Sequence, residues 1–171
     1  MVLTREKGEQ FTGLILLTGE DAQGLSNALF QALSPFSVSV IDLDQIIINK
    51  RLILTVQILL NPAHQVAIEE DLEALAVSTN VDIASVFSYS AALTPRPRCT
   101  TLSITSPKLH PRTLATLTGE IKKLGGNIES LERKGLQPIE IALHISGIDA
   151  LVLQGALQQI SVESDVTIAV A

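Results

Sequence analysis

Val38-Ser39-Val40-Ile41-Asp42-Leu43-Asp44-Gln45-Ile46-Ile47-Ile48-Asn49-Lys50-Arg51-Leu52-Ile53-Leu54-Thr55-Val56-Gln57-Ile58-Leu59-Leu60 sets two runs rich in β-branched and aliphatic residues on either side of a polar triplet. In the second run Leu52, Leu54, Val56, Ile58 and Leu60 alternate with their neighbours, the period of a strand with one buried face. Val38 to Ile48 reads as a strand as well, and Asn49-Lys50-Arg51 as the tight turn that makes the two a hairpin.

On the amino-terminal side, Phe11 to Thr18 is an apolar run of strand length, broken by Gly19-Glu20-Asp21-Ala22-Gln23-Gly24. Leu25, Ala28, Leu29, Ala32 and Leu33 then recur at helical spacing, and Pro35 ends the helix. On the other side, Asn61-Pro62 opens a second helix with Ile68, Leu72, Leu75 and Ala76 inward. Its Glu69, Glu70, Asp71 and Glu73 read as a solvated face. Val81 to Ser90 closes the unit as β-α-β-β-α-β.

The order then repeats. After the stiff segment Thr94-Pro95-Arg96-Pro97-Arg98 come strand Cys99 to Thr105, helix Pro111 to Leu124, strand Asn127 to Arg133, turn Gly135 to Pro138, strand Ile139 to Ser146, helix Ile148 to Ser161 and strand Asp165 to Val170. Leu29, Leu33, Phe36 and Leu43 find apolar counterparts 88 residues later at Leu117, Ile121, Leu124 and Leu131, so one unit has been copied once. The expected fold class is α+β: two ferredoxin-like βαββαβ units in tandem, each an antiparallel sheet with its helices on one face. The expected boundaries are an extension at 1–10, a first unit at 11–92, a linker at 93–98 and a second unit at 99–171. Units of this size have marginal cores, so pairing of sheets or of chains is expected, and with it a homodimer.

Composition removes several functional classes. With 12 Lys and Arg against 18 Asp and Glu the formal charge is −6, unsuited to neutralising phosphates, so no nucleic-acid partner is expected. The apolar runs are short and broken by polar residues, so no membrane span is expected, and the polar start Met1 to Gln10 lacks an export signal, which points to the cytoplasm. The single cysteine, Cys99, has no disulfide partner and reads as a buried structural thiol. His64, His110 and His144 stand in unrelated contexts and read as solvated or satisfied within the core, with no metal or catalytic grouping.

The loop Thr18-Gly19-Glu20-Asp21-Ala22-Gln23-Gly24-Leu25, between an apolar strand and an amphipathic helix, resembles the first loop of an ACT domain. Together with Leu14 to Leu33, Val38 to Ile48 and Arg51 to Leu54, it makes nearly the whole chain similar to the amino-terminal ACT tandem of actinobacterial-type (SerB) phosphoserine phosphatases. The resemblance implies an amino-acid sensor, with serine or glycine seated between ACT units and an attached phosphatase of L-serine biosynthesis under allosteric control. It implies Gly19, Asp21, Gln23, Gly24 and Leu25 as ligand-binding residues. Asn127, at the start of the strand after the third helix, is a further candidate, because some ACT domains hold the ligand with such an Asn. A strand-to-helix turn offers main-chain N–H groups to a carboxylate, and Asp21 an acceptor for an ammonium. The same loop also reads as a plain connection in which Asp21 caps the helix. The corresponding stretch Thr105 to Arg112 has no glycine, so the halves are expected to differ.

Val40-Ile41-Asp42-Leu43-Asp44 resembles the D-x-D signature of HAD phosphatases, but it lies within a strand that runs on into a hairpin, and Ile46 follows where Thr or Val belongs. No catalytic residue and no cofactor is therefore assigned to this chain, and Mg²⁺ is expected only in a HAD domain of a longer parent. The alternatives are a stand-alone tandem ACT regulator, like a glycine-cleavage repressor, acting through protein partners, and a ligand-free dimerisation module.

Overall fold

The structure, a computed structural model, describes residues 9–91 and 95–171. The first eight residues of the extension expected at 1–10, residue 92 and the first two residues of the linker expected at 93–98 lie outside the described residues. The chain divides into two compact units at residues 94 and 95.

The first unit runs β1 (Gln10–Glu20), α1 (Leu25–Leu33), β2 (Ser39–Ile48), β3 (Arg51–Leu59), α2 (Gln65–Thr79) and β4 (Asp82–Ser90). The second repeats it as β5 (Thr100–Ser106), α3 (Pro111–Lys123), β6 (Asn127–Leu136), β7 (Ile139–Ser146), α4 (Ala150–Ser164) and β8 (Thr167–Val170). The sheets have strand orders β2-β3-β1-β4 and β6-β7-β5-β8, with every pairing antiparallel. This is the βαββαβ fold read from the hydrophobic periods.

Each core lies between a sheet and its two helices. Ile15, Leu17, Leu54, Val56 and Ile58 pack beneath Leu29 and Leu33 of α1 and Ile68 and Leu72 of α2. Leu102, Ile104, Leu143 and Ile145 pack beneath Leu117, Ile121, Leu153 and Leu157 in the second unit. A buried Leu or Ile contributes about 1.5–3 kcal/mol, so these layers outweigh the modest propensities of the short helices.

Two expectations are corrected, on Cys99 and on the β6–β7 turn, and one repeated pair is placed. Cys99 is exposed: it stands just before β5, outside the ladder, with Sγ 3.5 Å from the Pro97 carbonyl oxygen. Leu43 and Leu131 are true counterparts but not core, at 52% and 48% exposed, because β2 and β6 are edge strands with one neighbour each. The β6–β7 turn is shorter than Gly135 to Pro138, since β6 continues to Leu136 and pairs it with Ile139.

Candidate functional site

The loop between β1 and α1 is tighter than the run of turn residues implies. β1 continues through Gly19 and Glu20, which pair with Leu52 and Arg51. Gly19 is therefore a packing position and not a turn: a Cβ there would sit 2.7 Å from Val81 Cγ1. The main-chain N–H of Asp21 donates to the Lys50 carbonyl at 2.7 Å, tying the loop to the β2–β3 hairpin and withdrawing that donor from any ligand.

The corner itself is Ala22-Gln23-Gly24-Leu25. Gly24 has φ 94° and ψ −2°, the angles of the third residue of a type II turn, and the Leu25 N–H reaches back to the Ala22 carbonyl at 3.5 Å. Among the described residues a Cβ at Gly24 would meet nothing within 4 Å, so the side of the main chain that glycine leaves bare is open to them. Gly24 is also the N-cap of α1, and no side chain caps that helix. Asp21 is thus not a cap, because the helix begins four residues after it. The Asp21 and Gln23 side chains are exposed, whereas that of Leu25 is 6% exposed and belongs to the core, leaving only its main chain for recognition. Ser26, in the first turn of α1, donates from Oγ to Gln45 Oε1 on β2 at 2.6 Å, a contact that neither segment signals by its own pattern.

Asn127 opens β6 opposite Ser146 of β7. It is a strand residue; the left-handed conformation lies at Gly125, with φ 81°. Its Nδ2 donates to Glu129 Oε1 at 2.7 Å, and Ser146 Oγ donates to the same oxygen. These bonds, Ser146 first and Asn127 second, hold the Glu129 carboxyl below the ordinary glutamate range. Glu129 was missed in the sequence because it sits at a register shift between Ile128 and Ser130, and a bulge breaks the period-2 rule by which facing residues are counted. Asn127 lies in the second unit and the glycine corner in the first.

The aspartates of the D-x-D stretch sit on the edge strand β2, where Asp42 Oδ1 accepts from the Leu43 N–H at 2.9 Å. His110 caps α3, with Nδ1 accepting from the Arg112 N–H at 3.2 Å, and His64 packs edge-on against Phe36. His144 bridges Thr101 Oγ1 at 3.2 Å and Glu132 Oε1 at 3.7 Å. Among the described residues no helix is long and apolar enough to cross a membrane.

Comparison with known proteins adds to this geometry. Residues 12–85 match the ACT domain family. Phosphoserine phosphatase SerB2 of Mycobacterium tuberculosis is 26% identical over 162 residues, which is 92% of this chain and 40% of that protein. A phosphoserine phosphatase of Streptomyces coelicolor is 27% identical over 164 residues, 93% of this chain and 39% of that protein. The chain thus spans about 40% of the length of these curated relatives. Two solved structures share the fold over 95% of the chain: an unknown protein from Galdieria sulphuraria, TM-score 0.75 at 20% identity and 97% coverage of that chain; and a putative glycine cleavage system transcriptional repressor, TM-score 0.72 at 16% identity and 96% coverage of that chain.

Proposed function

We propose, from an ACT domain match in the first unit and a second unit built to the same plan, that this chain is an amino-acid-sensing regulatory module of a phosphoserine phosphatase, with serine or glycine as its ligand. The observation that carries the reading is the bare, left-handed Gly24 at the foot of an uncapped α1. The first-turn N–H groups beyond that of Leu25 and the positive helix pole favour a carboxylate there, and the exposed Asp21 offers acceptors to an ammonium. ACT domains bind small amino acids and dimerise, so the homodimer belongs to the same reading, as does a cytoplasmic setting. Chemistry and its Mg²⁺ would belong to a separate HAD domain.

Titration calorimetry against the common amino acids tests it. Serine or glycine should give heat and, at a hundred times Kd, stabilise the fold by about 2.7 kcal/mol. Gly24→Asn, which tolerates the left-handed backbone and places a side chain on the open face, should weaken both while leaving helix content unchanged; undiminished heat in this variant would remove the corner from the site. The parent enzyme is tested separately, by reading the coding sequence past Ala171 for a D-x-D-x-T segment. A stop there would leave a stand-alone regulator.

A further inference from the structure

The two sheets differ most on the faces turned away from their helices. Ile15 and Leu17 of β1 point into the core, so Leu14 and Leu16 point out of it, beside Val86 and Ala84 of β4. Ile53 of β3 lies on the same face beside Ile46 of β2. Leu14, Leu16, Ile46 and Val86 are all exposed. In the second unit, aligned on the buried Leu102 and Ile104, Thr101 and Ser103 stand where Leu14 and Leu16 do, and Glu140 takes the place of Ile53. The outward face is apolar in one copy of the unit and polar in the other, and an exposed apolar patch on one side of a sheet is the mark of a contact surface.

The charges of the first face lie at its margins. Asp42 and Asp44 are on the edge strand β2, and Asp82 is on the edge strand β4. The two central strands carry charge only at one end of the face, where Glu20 of β1 and Arg51 of β3 stand side by side and the guanidinium comes within 3.6 Å of the Asp82 carboxylate. A two-fold axis along the strands, between β1 and β3, would lay β1 of one copy over β3 of the other and β2 over β4. Each row keeps its level under that operation, so Arg51 meets the other copy's Glu20, and the reverse. Leu16 meets Thr55, and Asp44 and Asp42 meet Ala84 and Val86, so no carboxylate is set against another. Sheets packed face to face lie about 10 Å apart, within reach of a paired arginine and glutamate.

We propose that the outward sheet face of the first unit is a contact for a second copy of this chain, related by that axis. The contact is distinct from the β2 edge, where Ile47 pairs with the buried Leu52 and so lies on the helix side of the sheet. It goes beyond the homodimer of the ACT reading, and neither needs the other. Four strands from the level of Leu14 to that of Glu20 span about 19 Å by 24 Å, roughly 900 Å² over two copies, below the about 1,200 Å² of a standard interface and in the range of weak, reversible contacts.

The test is sedimentation equilibrium of the full chain carrying Ile47→Lys, which removes the edge contact, at submillimolar concentration. Reversible dimerisation should persist there. Leu16→Lys should raise the dissociation constant at least ten-fold, and Ser103→Lys, the same change on the outward face of the second unit, should leave it unaltered. Charge exchange reads the axis: Arg51→Glu alone and Glu20→Arg alone set like charges against each other and should each abolish dimerisation, whereas an equimolar mixture of the two proteins should dimerise, because both cross-axis pairs are again of opposite sign. A chain that stays monomeric, dimerisation indifferent to a folded Leu16→Lys variant, or a mixture that remains monomeric would each overturn the proposal. Dimerisation of the unsubstituted chain that Ile47→Lys removes entirely would overturn it too, while leaving the edge-paired homodimer standing.

Discussion

Gly19 and Gly24 are five residues apart and serve different ends. Gly19 faces Val81 inside the first unit, so a methyl group there must push a packed side chain aside at a cost of about 1–3 kcal/mol. Gly24 has room for a side chain but holds a backbone conformation that L-residues avoid. Gly24→Ala should therefore lose about 1–2 kcal/mol and Gly24→Asn less, since Asn tolerates the left-handed region, as denaturant midpoints will show. Glu129 supplies a residue-scale prediction in pH. Its pKa is lowered by Ser146 and then by Asn127, so the stability these bonds add is complete above the ordinary glutamate range, near pH 4.3, and fades as pH falls through the lower folded value. A carbon-detected titration of the Glu129 carboxyl should give a midpoint below the ordinary one, raised more by Ser146→Ala than by Asn127→Ala. Asn127 was a candidate only through the resemblance to ACT domains; its partner was not legible, because a bulge is a property of the ladder and leaves no mark in a single strand.

The two hairpins show how far an element can be read from its own residues. The alternation from Leu52 to Leu60 made β3 unmistakable, and all five of those residues are buried. The turn between β2 and β3 needed the backbone: Asn49 and Lys50 have φ of 47° and 64°, the two positive angles of a type I′ turn, and Arg51 already belongs to β3. Lysine is a poor occupant of that second position, so Lys50→Gly should stabilise the first unit by up to about 1 kcal/mol, read as a rise in its thermal midpoint. The helix pattern separates core from surface equally well within α1. Leu29→Ala should cost about 2–5 kcal/mol, whereas Leu43→Ala, on an edge strand, should change stability by no more than about 1 kcal/mol although both residues belong to the repeated apolar set. Hydrogen exchange in the first unit compares the two directly. A constant spacing between copies marks equivalent positions and says nothing of whether a helix covers them.

Across the whole molecule, copying one unit has produced two similar folds with dissimilar surfaces. The edge strand β2 exposes Ile46, Ile47 and Ile48 at 46%, 55% and 58%, and β6 carries Glu129, Glu132, Arg133 and Lys134 instead. A long apolar edge invites pairing, so the proposed homodimer should appear as concentration-dependent sedimentation, and Ile47→Lys should shift it toward monomer. The chain's order of elements, its duplication and the inward faces of β3 and α1 were determined by the sequence alone, because hydrophobic period and turn chemistry are local and a repeat doubles their signal. Only the tertiary structure decided that Gly19 packs against Val81, that Asn127 and Ser146 share one oxygen of Glu129, that Cys99 is exposed, and that Arg51 reaches Asp82. Each of these joins residues brought together by strand register and helix packing, and such contacts are set by the sum of many weak interactions across the unit, with no trace in the spacing of any one segment.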